Sequence, residues 1–212
     1  MITDNNLSVV NIQVPLGPNI GQCCGGTVIL RLNITDADQQ SKLTTDIYQT
    51  LNALPSIYVF GAGHVGHALV RSLSLLPVKT ILIDTRPYEL NKAPKGIETH
   101  LTALPESVVD QAPPGSSFII LTHDHSLDFL IASQALMRGD AAYVGMIGSN
   151  TKRAKFHKWL KRQQGENTLI DALVCPIASD RLGDKRPEVI AAMATAEVVN
   201  YITHYKQSKI HA

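Results

Sequence analysis

The stretch Ile57-Tyr58-Val59-Phe60-Gly61-Ala62-Gly63-His64-Val65-Gly66-His67-Ala68-Leu69-Val70 constrains the fold most. A short apolar run enters a Gly-x-Gly-x-x-Gly turn, and an apolar-periodic helix leaves it. Each glycine has a physical task in such a unit: Gly61 permits the tight turn, Gly63 lets backbone approach a phosphate, and Gly66 lets the helix lie close to the strand. The helix then aims unpaired N–H groups and the positive end of its dipole at an anion, with His64 at its start. The next apolar run, Lys79-Thr80-Ile81-Leu82-Ile83-Asp84, reads as a second buried strand ending in an acid. Asp84 falls 84 − 66 = 18 residues after the last glycine, close to the roughly 20 expected of a ribose-binding carboxylate. The pattern predicts a Rossmann-like βαβ unit.

Further along, strands and helices alternate. Ser117–Thr122 is an apolar strand that runs into His123-Asp124-His125-Ser126-Leu127-Asp128, and a helix is expected over Ser126–Arg138. Ala141–Ser149 repeats the design, followed by a helix over Asn150–Gln164 that carries six Lys and Arg and no acid. Leu173–Ile177 reads as a last strand, and Pro187 opens a long final helix. Such alternation predicts an α/β fold with a mostly parallel sheet covered by helices on both faces.

Before the glycine turn the signals differ. Val9–Val14 and Thr27–Ile34 suit strands, and Gly21-Gln22-Cys23-Cys24-Gly25-Gly26 suits a loop between them. Ser41–Leu54 suits a short helix closed by Pro55, and Arg86-Pro87 reads as loop. Two regions follow: an N-terminal β-containing arm with the Cys-Cys loop (1–54) and the Rossmann-like domain (55–212).

Charge and cysteine usage narrow the partners. With 19 Lys and Arg against 18 Asp and Glu, the net charge is +1, which argues against general nucleic-acid binding. No apolar run has the length of a membrane span. Three cysteines do not make a disulfide framework, so a reducing cytoplasm is expected. The chain lacks both the Gly-x-Ser-x-Gly and the Gly-x-x-x-x-Gly-Lys-Ser/Thr patterns, which sets aside esterase and ordinary NTPase chemistry.

In an open α/β sheet, ligands bind outside the carboxyl ends of the strands. Four loops therefore matter: Gly61–Gly66, Asp84–Arg86, His123–Asp128 and Gly145–Asn150. His123 and His125, with Asp128 one helical turn on, have the chemistry to contact a ligand or a metal; alternatively, His123 and Asp124 cap the helix. Gly148 and Ser149, with Lys152 and Arg153 beyond them, have the chemistry to hold an anion. No further cluster with metal-ligand spacing stands out, and no metal site is expected.

Taken together, Gly-Gln-Cys-Cys-Gly-Gly, Val-Phe-Gly-Ala-Gly-His-Val-Gly, Ile-Asp-Thr-Arg-Pro, Thr-His-Asp-His-Ser-Leu-Asp, Tyr-Val-Gly-Met-Ile-Gly-Ser and Cys-Pro-Ile resemble the XdhC/CoxI family, in order, from about Leu16 to Val199. Those are accessory proteins of xanthine dehydrogenase and related molybdenum hydroxylases. The resemblance implies a non-catalytic chaperone that binds the molybdenum cofactor (molybdopterin), shields it during sulfuration and delivers it to the apo-enzyme. It also implies a cysteine desulfurase as partner, a homodimer, and Cys23 and Cys24 as contacts to the cofactor or its sulfur. Family members usually carry a further N-terminal stretch with its own glycine-rich motif. Either a partner chain or a shortened architecture is expected to supply that surface. The competing reading is an NAD-dependent oxidoreductase, or an NAD-sensing module, built on Gly61–Gly66 and Asp84. Arg86 complicates the acid's preference for NAD, and no substrate domain accompanies it.

Overall fold

A computed structural model describes residues 9–21, 25–164, 168–178 and 183–210. Cys23 and Cys24 lie outside the described residues. The chain divides into two compact units, residues 1–53 and 54–212.

In the first unit, β1 (Val9–Pro15) and β2 (Thr27–Asn33) form an antiparallel hairpin, from Val9 opposite Asn33 to Pro15 opposite Thr27. This register puts Val10, Ile12 and Val14 across from Leu32, Leu30 and Val28 on one face. Helix α1 (Ala37–Asn52) starts four residues before the expected Ser41, because Asp36 caps it and accepts the Gln39 N–H at 2.8 Å. It stops two residues before Leu54, the residue that Pro55 holds out of helical conformation.

The second unit is a six-stranded parallel sheet. Its strands are β3 (Ser56–Phe60), β4 (Lys79–Asp84), β5 (Glu98–Leu101), β6 (Ser117–Ile120), β7 (Tyr143–Met146) and β8 (Leu173–Val174), in the spatial order β5-β4-β3-β6-β7-β8. The expected Rossmann-like arrangement is present, with the strand order reversing at β3. Residue parity sorts the core into two layers. Ile57, Val59, Leu82 and Ile119 face α2 (His64–Leu73) and the long α7 (Pro187–Ile210), which pack on each other. Phe60, Ile83, Phe118 and Ile120 face the side built by α4 (Glu106–Gln111), α5 (His125–Met137) and α6 (Asn150–Gln164).

Two local differences from the sequence reading have simple causes. The Arg86-Pro87 segment opens a single helical turn, α3 (Pro87–Leu90), because Pro87 fits the first helical position and Leu90 is buried beneath it. The last strand keeps only Leu173 and Val174. Pro176 has no N–H to offer a ladder, although the Ile177 N–H still reaches the Met146 carbonyl at 3.2 Å. No helix among the described residues is long and apolar enough to cross a membrane.

Candidate functional site

The carboxyl ends of β3, β4, β6 and β7 lie level: Phe60 pairs with Ile83 and Ile120, and Ile120 pairs with Met146. The backbone continues this alignment one step into the loops, with N–H bonds from Gly61 to Ile83, Leu121 to Phe60 and Ile147 to Ile120, each 2.8 Å. The four loops singled out from the sequence therefore leave one edge of the sheet together.

At its centre is the start of α2. Its first backbone bond runs from the His67 N–H to the Gly63 carbonyl at 2.9 Å. That leaves the N–H groups of His64, Val65 and Gly66 as helix-end donors without an intrahelical partner. Gly63 provides no side-chain cap, and the first turn holds no acid. A Cβ on Gly63 would meet nothing within 4 Å, so the space beside this residue is open. By contrast, a Cβ on Gly61 would run into the Leu121 carbonyl, and one on Gly66 into the Gly61 carbonyl. Gly61 also sits at φ 122°, where only glycine is at ease. Leu69, Val70 and Leu73, all fully buried, contribute about 1.5–3 kcal/mol each. That outweighs the roughly 1 kcal/mol that a glycine such as Gly66 costs inside a helix. The result is a rigid helix start whose first residue, His64, is exposed.

Asp84, at the end of β4, is buried and tied down. Its Oδ2 accepts the Ala62 N–H at 2.7 Å and an Arg86 guanidinium N–H at 2.8 Å. Its Oδ1 accepts the Arg86 N–H and the Arg86 Nε–H, both at 2.9 Å. Four donors fill the roughly four lone-pair positions a carboxylate has. Burial pushes this carboxyl up, but the Arg86 and Ala62 hydrogen bonds outweigh it and hold the group below the ordinary aspartate range. Asp84 thus fixes the glycine loop against β4, and Arg86 neutralises it. A narrow pocket opens beside it at the strand-order reversal, bounded by Gly61, Asp84, Thr85, Pro105, Thr122 and His123.

The loop after β6 is organised by two aspartates. Asp124 caps α5, its Oδ1 accepting the N–H groups of Ser126 at 2.7 Å and Leu127 at 3.4 Å. Those backbone bonds hold its carboxyl below the usual aspartate range. Asp128 is fully buried. Its Oδ1 accepts the N–H of Thr122 at 3.0 Å and the Thr122 hydroxyl at 2.7 Å. Its Oδ2 accepts from Lys152 Nζ at 2.5 Å. Lys152 donates as well to the Ile147 carbonyl at 2.8 Å. The aliphatic stem of Lys152 lies where a Cβ on Gly148 would be, so Gly148 makes room for it.

Lys152 is therefore not an anion holder beside Ser149, as its position suggested. It is the buried strut joining the β6 and β7 loops. Ser149 is exposed, and its hydroxyl accepts the Lys152 N–H at 3.3 Å. His64, His123 and His125 are exposed at the same edge. His125 Nδ1 stands 4.0 Å from Asp128 Oδ2. Among the described residues no group of three or more His, Cys, Asp and Glu is arranged to hold a metal ion. The sequence reading missed His67, which is buried in α2 with neither ring nitrogen hydrogen-bonded; burial, then Arg71, pushes its imidazole below the usual range. No local signal marks it.

Comparison with known proteins agrees with this architecture. A solved structure described as a xanthine dehydrogenase from Bacillus halodurans superposes with a TM-score of 0.70 at 17% identity, covering 92% of this chain and 76% of that one. At that identity the match speaks for the fold alone. No curated protein matches the sequence. The family model described as the XdhC Rossmann domain matches residues 57–198, from the second residue of β3 through the first half of α7. With two thirds of its length covered by that model, this chain belongs to the XdhC family.

Proposed function

We propose that this protein is an accessory chaperone of xanthine dehydrogenase or a related molybdenum hydroxylase. It holds the molybdenum cofactor by the terminal phosphate of its pterin, shields it while the terminal sulfur is installed, and hands it to the apo-enzyme. The family assignment and the structural neighbour, described as a xanthine dehydrogenase, support the setting. One observation carries the choice of ligand. The start of α2 offers three free N–H donors and no acid, while the neighbouring Asp84 has all its acceptor positions filled. Such a corner suits a phosphate and has nothing left for a ribose diol.

The donor set fits the cofactor at that end. His64, Val65 and Gly66 would hold the phosphate through backbone N–H groups. Exposed His123 and His125, at the same edge, have the hydrogen-bonding chemistry for a polar ring system. When bound, the cofactor supplies the metal centre and its sulfur; this chain's residues bind, orient and exclude water. Cys23 and Cys24 supply soft thiolate chemistry suited to molybdenum or its sulfur. A cysteine desulfurase as sulfur source, cytoplasmic residence and a homodimer belong to the same proposal.

The alternative, an NAD-dependent oxidoreductase or NAD-sensing module, needs Asp84 to accept ribose hydroxyls, and Arg86 already occupies it. The two readings separate in one experiment. The protein is purified from cells that make molybdopterin, and bound molybdenum, pterin and nucleotide are assayed. Stoichiometric pterin without NAD supports the chaperone; NAD without pterin overturns it.

A further inference from the structure

Past Lys152, the basic helix α6 is not used by the cofactor site, and its remaining charges are arranged in a way the fold itself does not require. Beyond the buried Lys152, its inner face is apolar: Phe156 and Leu160 are buried, Trp159 is half-buried, and Phe129 packs its ring on both aromatics. That anchoring fixes the opposite face rigidly toward solvent. At about 100° per residue, Lys155, Lys158 and Arg162 fall within roughly 60° of one another, a stripe on the exposed side. Arg153 and His157, one turn apart, line the rim of a cleft shared with Asn150, Ile170 and Asp171.

Elsewhere five cations sit in ion pairs: Lys79 with Glu98, Arg86 with Asp84, Lys92 with Glu89, Arg138 with Asp140 and Arg186 with Asp184; within α6, Lys152 pairs with Asp128. Arg153, Lys155, Lys158 and Arg162 have no acid within ion-pair distance among the described residues. Like charges three and four residues apart repel on a helix, and Arg153 in its first turn opposes its dipole, although Arg162 in the last turn complements it. Local stability therefore disfavours this pattern. An anionic partner would convert each unfavourable pair into a favourable contact.

We propose that the solvent face of α6 docks an acidic patch on the client enzyme. This rests on the accessory-protein reading. The stripe carries no exposed large apolar side chain to enter a lipid surface. The chain's net charge of +1 argues against general binding to a phosphate backbone. Charge complementarity of this kind steers encounter and fixes register, so the contact weakens as salt rises.

The test uses the full chain and purified apo-xanthine dehydrogenase as probe. Affinity is measured at about 50 and about 500 mM salt for wild type, Lys155→Glu/Lys158→Glu/Arg162→Glu, and the triple alanine variant, which keeps good helix formers. Cofactor retention is measured in parallel. Expected are wild-type binding that weakens at least about tenfold with salt, a further loss of about tenfold or more in the reversal variant, and an intermediate loss in the alanine variant, with retention unchanged. Enzyme binding indifferent to both triple variants overturns the docking surface, whether or not cofactor is retained. So does failure of wild type to bind the enzyme, or tighter α6-dependent binding to transfer RNA or to phosphatidylserine vesicles. Salt-sensitive, α6-dependent enzyme binding without retained cofactor keeps the docking surface and removes the cofactor role.

Discussion

Placing an aspartate at position 63 sets the helix cap and the ligand in direct competition. Gly63 has φ −81° and ψ −170°, a conformation open to any residue, and a Cβ there meets nothing within 4 Å. Asp is among the best N-cap residues and exceeds Gly by a few tenths of a kcal/mol, so Gly63→Asp is expected to leave the fold as stable or slightly more so. Its carboxylate would accept the same helix-end N–H groups that the proposed phosphate needs. A unit negative charge about 4 Å from a phosphate charge costs about 4 kcal/mol at an effective dielectric of 20. The site is open to solvent, so about 2–3 kcal/mol is the better figure, a loss of roughly 30- to 150-fold in affinity. Thermal denaturation and retained pterin after gel filtration read the two effects. Gly63→Ser, a neutral cap, is expected to retain most of the ligand. Retention in Gly63→Asp equal to wild type would show that the ligand's anion does not sit on α2.

Other perturbations address the surrounding frame. Asp128→Ala strands the Lys152 charge inside the protein and is expected to destabilise by about 3–5 kcal/mol in chemical denaturation. Asp128→Leu/Lys152→Met, which removes both charges, should recover a large part of that. Because the Asp84 carboxyl is depressed in the folded protein, its contribution is present above the unfolded value near pH 4. It is lost as pH falls through the lower folded value. Asp84→Asn should therefore flatten the acid limb of stability below about pH 4, measured by urea titration across pH; an unchanged limb would contradict the Arg86 and Ala62 bonds as its cause. Cys23→Ala/Cys24→Ala is expected to fold normally and to lose molybdenum retention, by metal analysis after gel filtration; unchanged retention would remove the thiols from the cofactor role.

What the sequence disclosed was mostly local. The strand, glycine turn and helix at 57–70 are written in consecutive residues: Gly61 answers to a contact with the segment after the adjacent strand, Gly66 to one within its own turn, and Gly63 leaves its side open. Asp124 was readable as a cap for the same reason. Asp84 was correctly placed by spacing, but its state depends on the Ala62 N–H from across the turn as well as on Arg86 two residues on. The sequence hinted at the second and hid the first. Lys152 shows the limit most clearly. Its neighbours Ser149 and Arg153 made it look like an anion holder, yet its partner is Asp128, 24 residues away, on a different loop. The pairing is created by β6 and β7 lying side by side. His67 escaped notice because nothing in a helix-period segment separates a buried imidazole from an exposed one.

The most direct test of the account is transfer. The protein, loaded with molybdopterin-type cofactor and separated from free ligand, is mixed with purified apo-xanthine dehydrogenase, and the enzyme's activity and bound molybdenum are followed. Gain of both at the expense of this protein's bound pterin, absent with the Gly63→Asp variant, is the predicted result. Activation that proceeds equally well with free cofactor and is indifferent to position 63 would contradict a phosphate held on α2 for delivery.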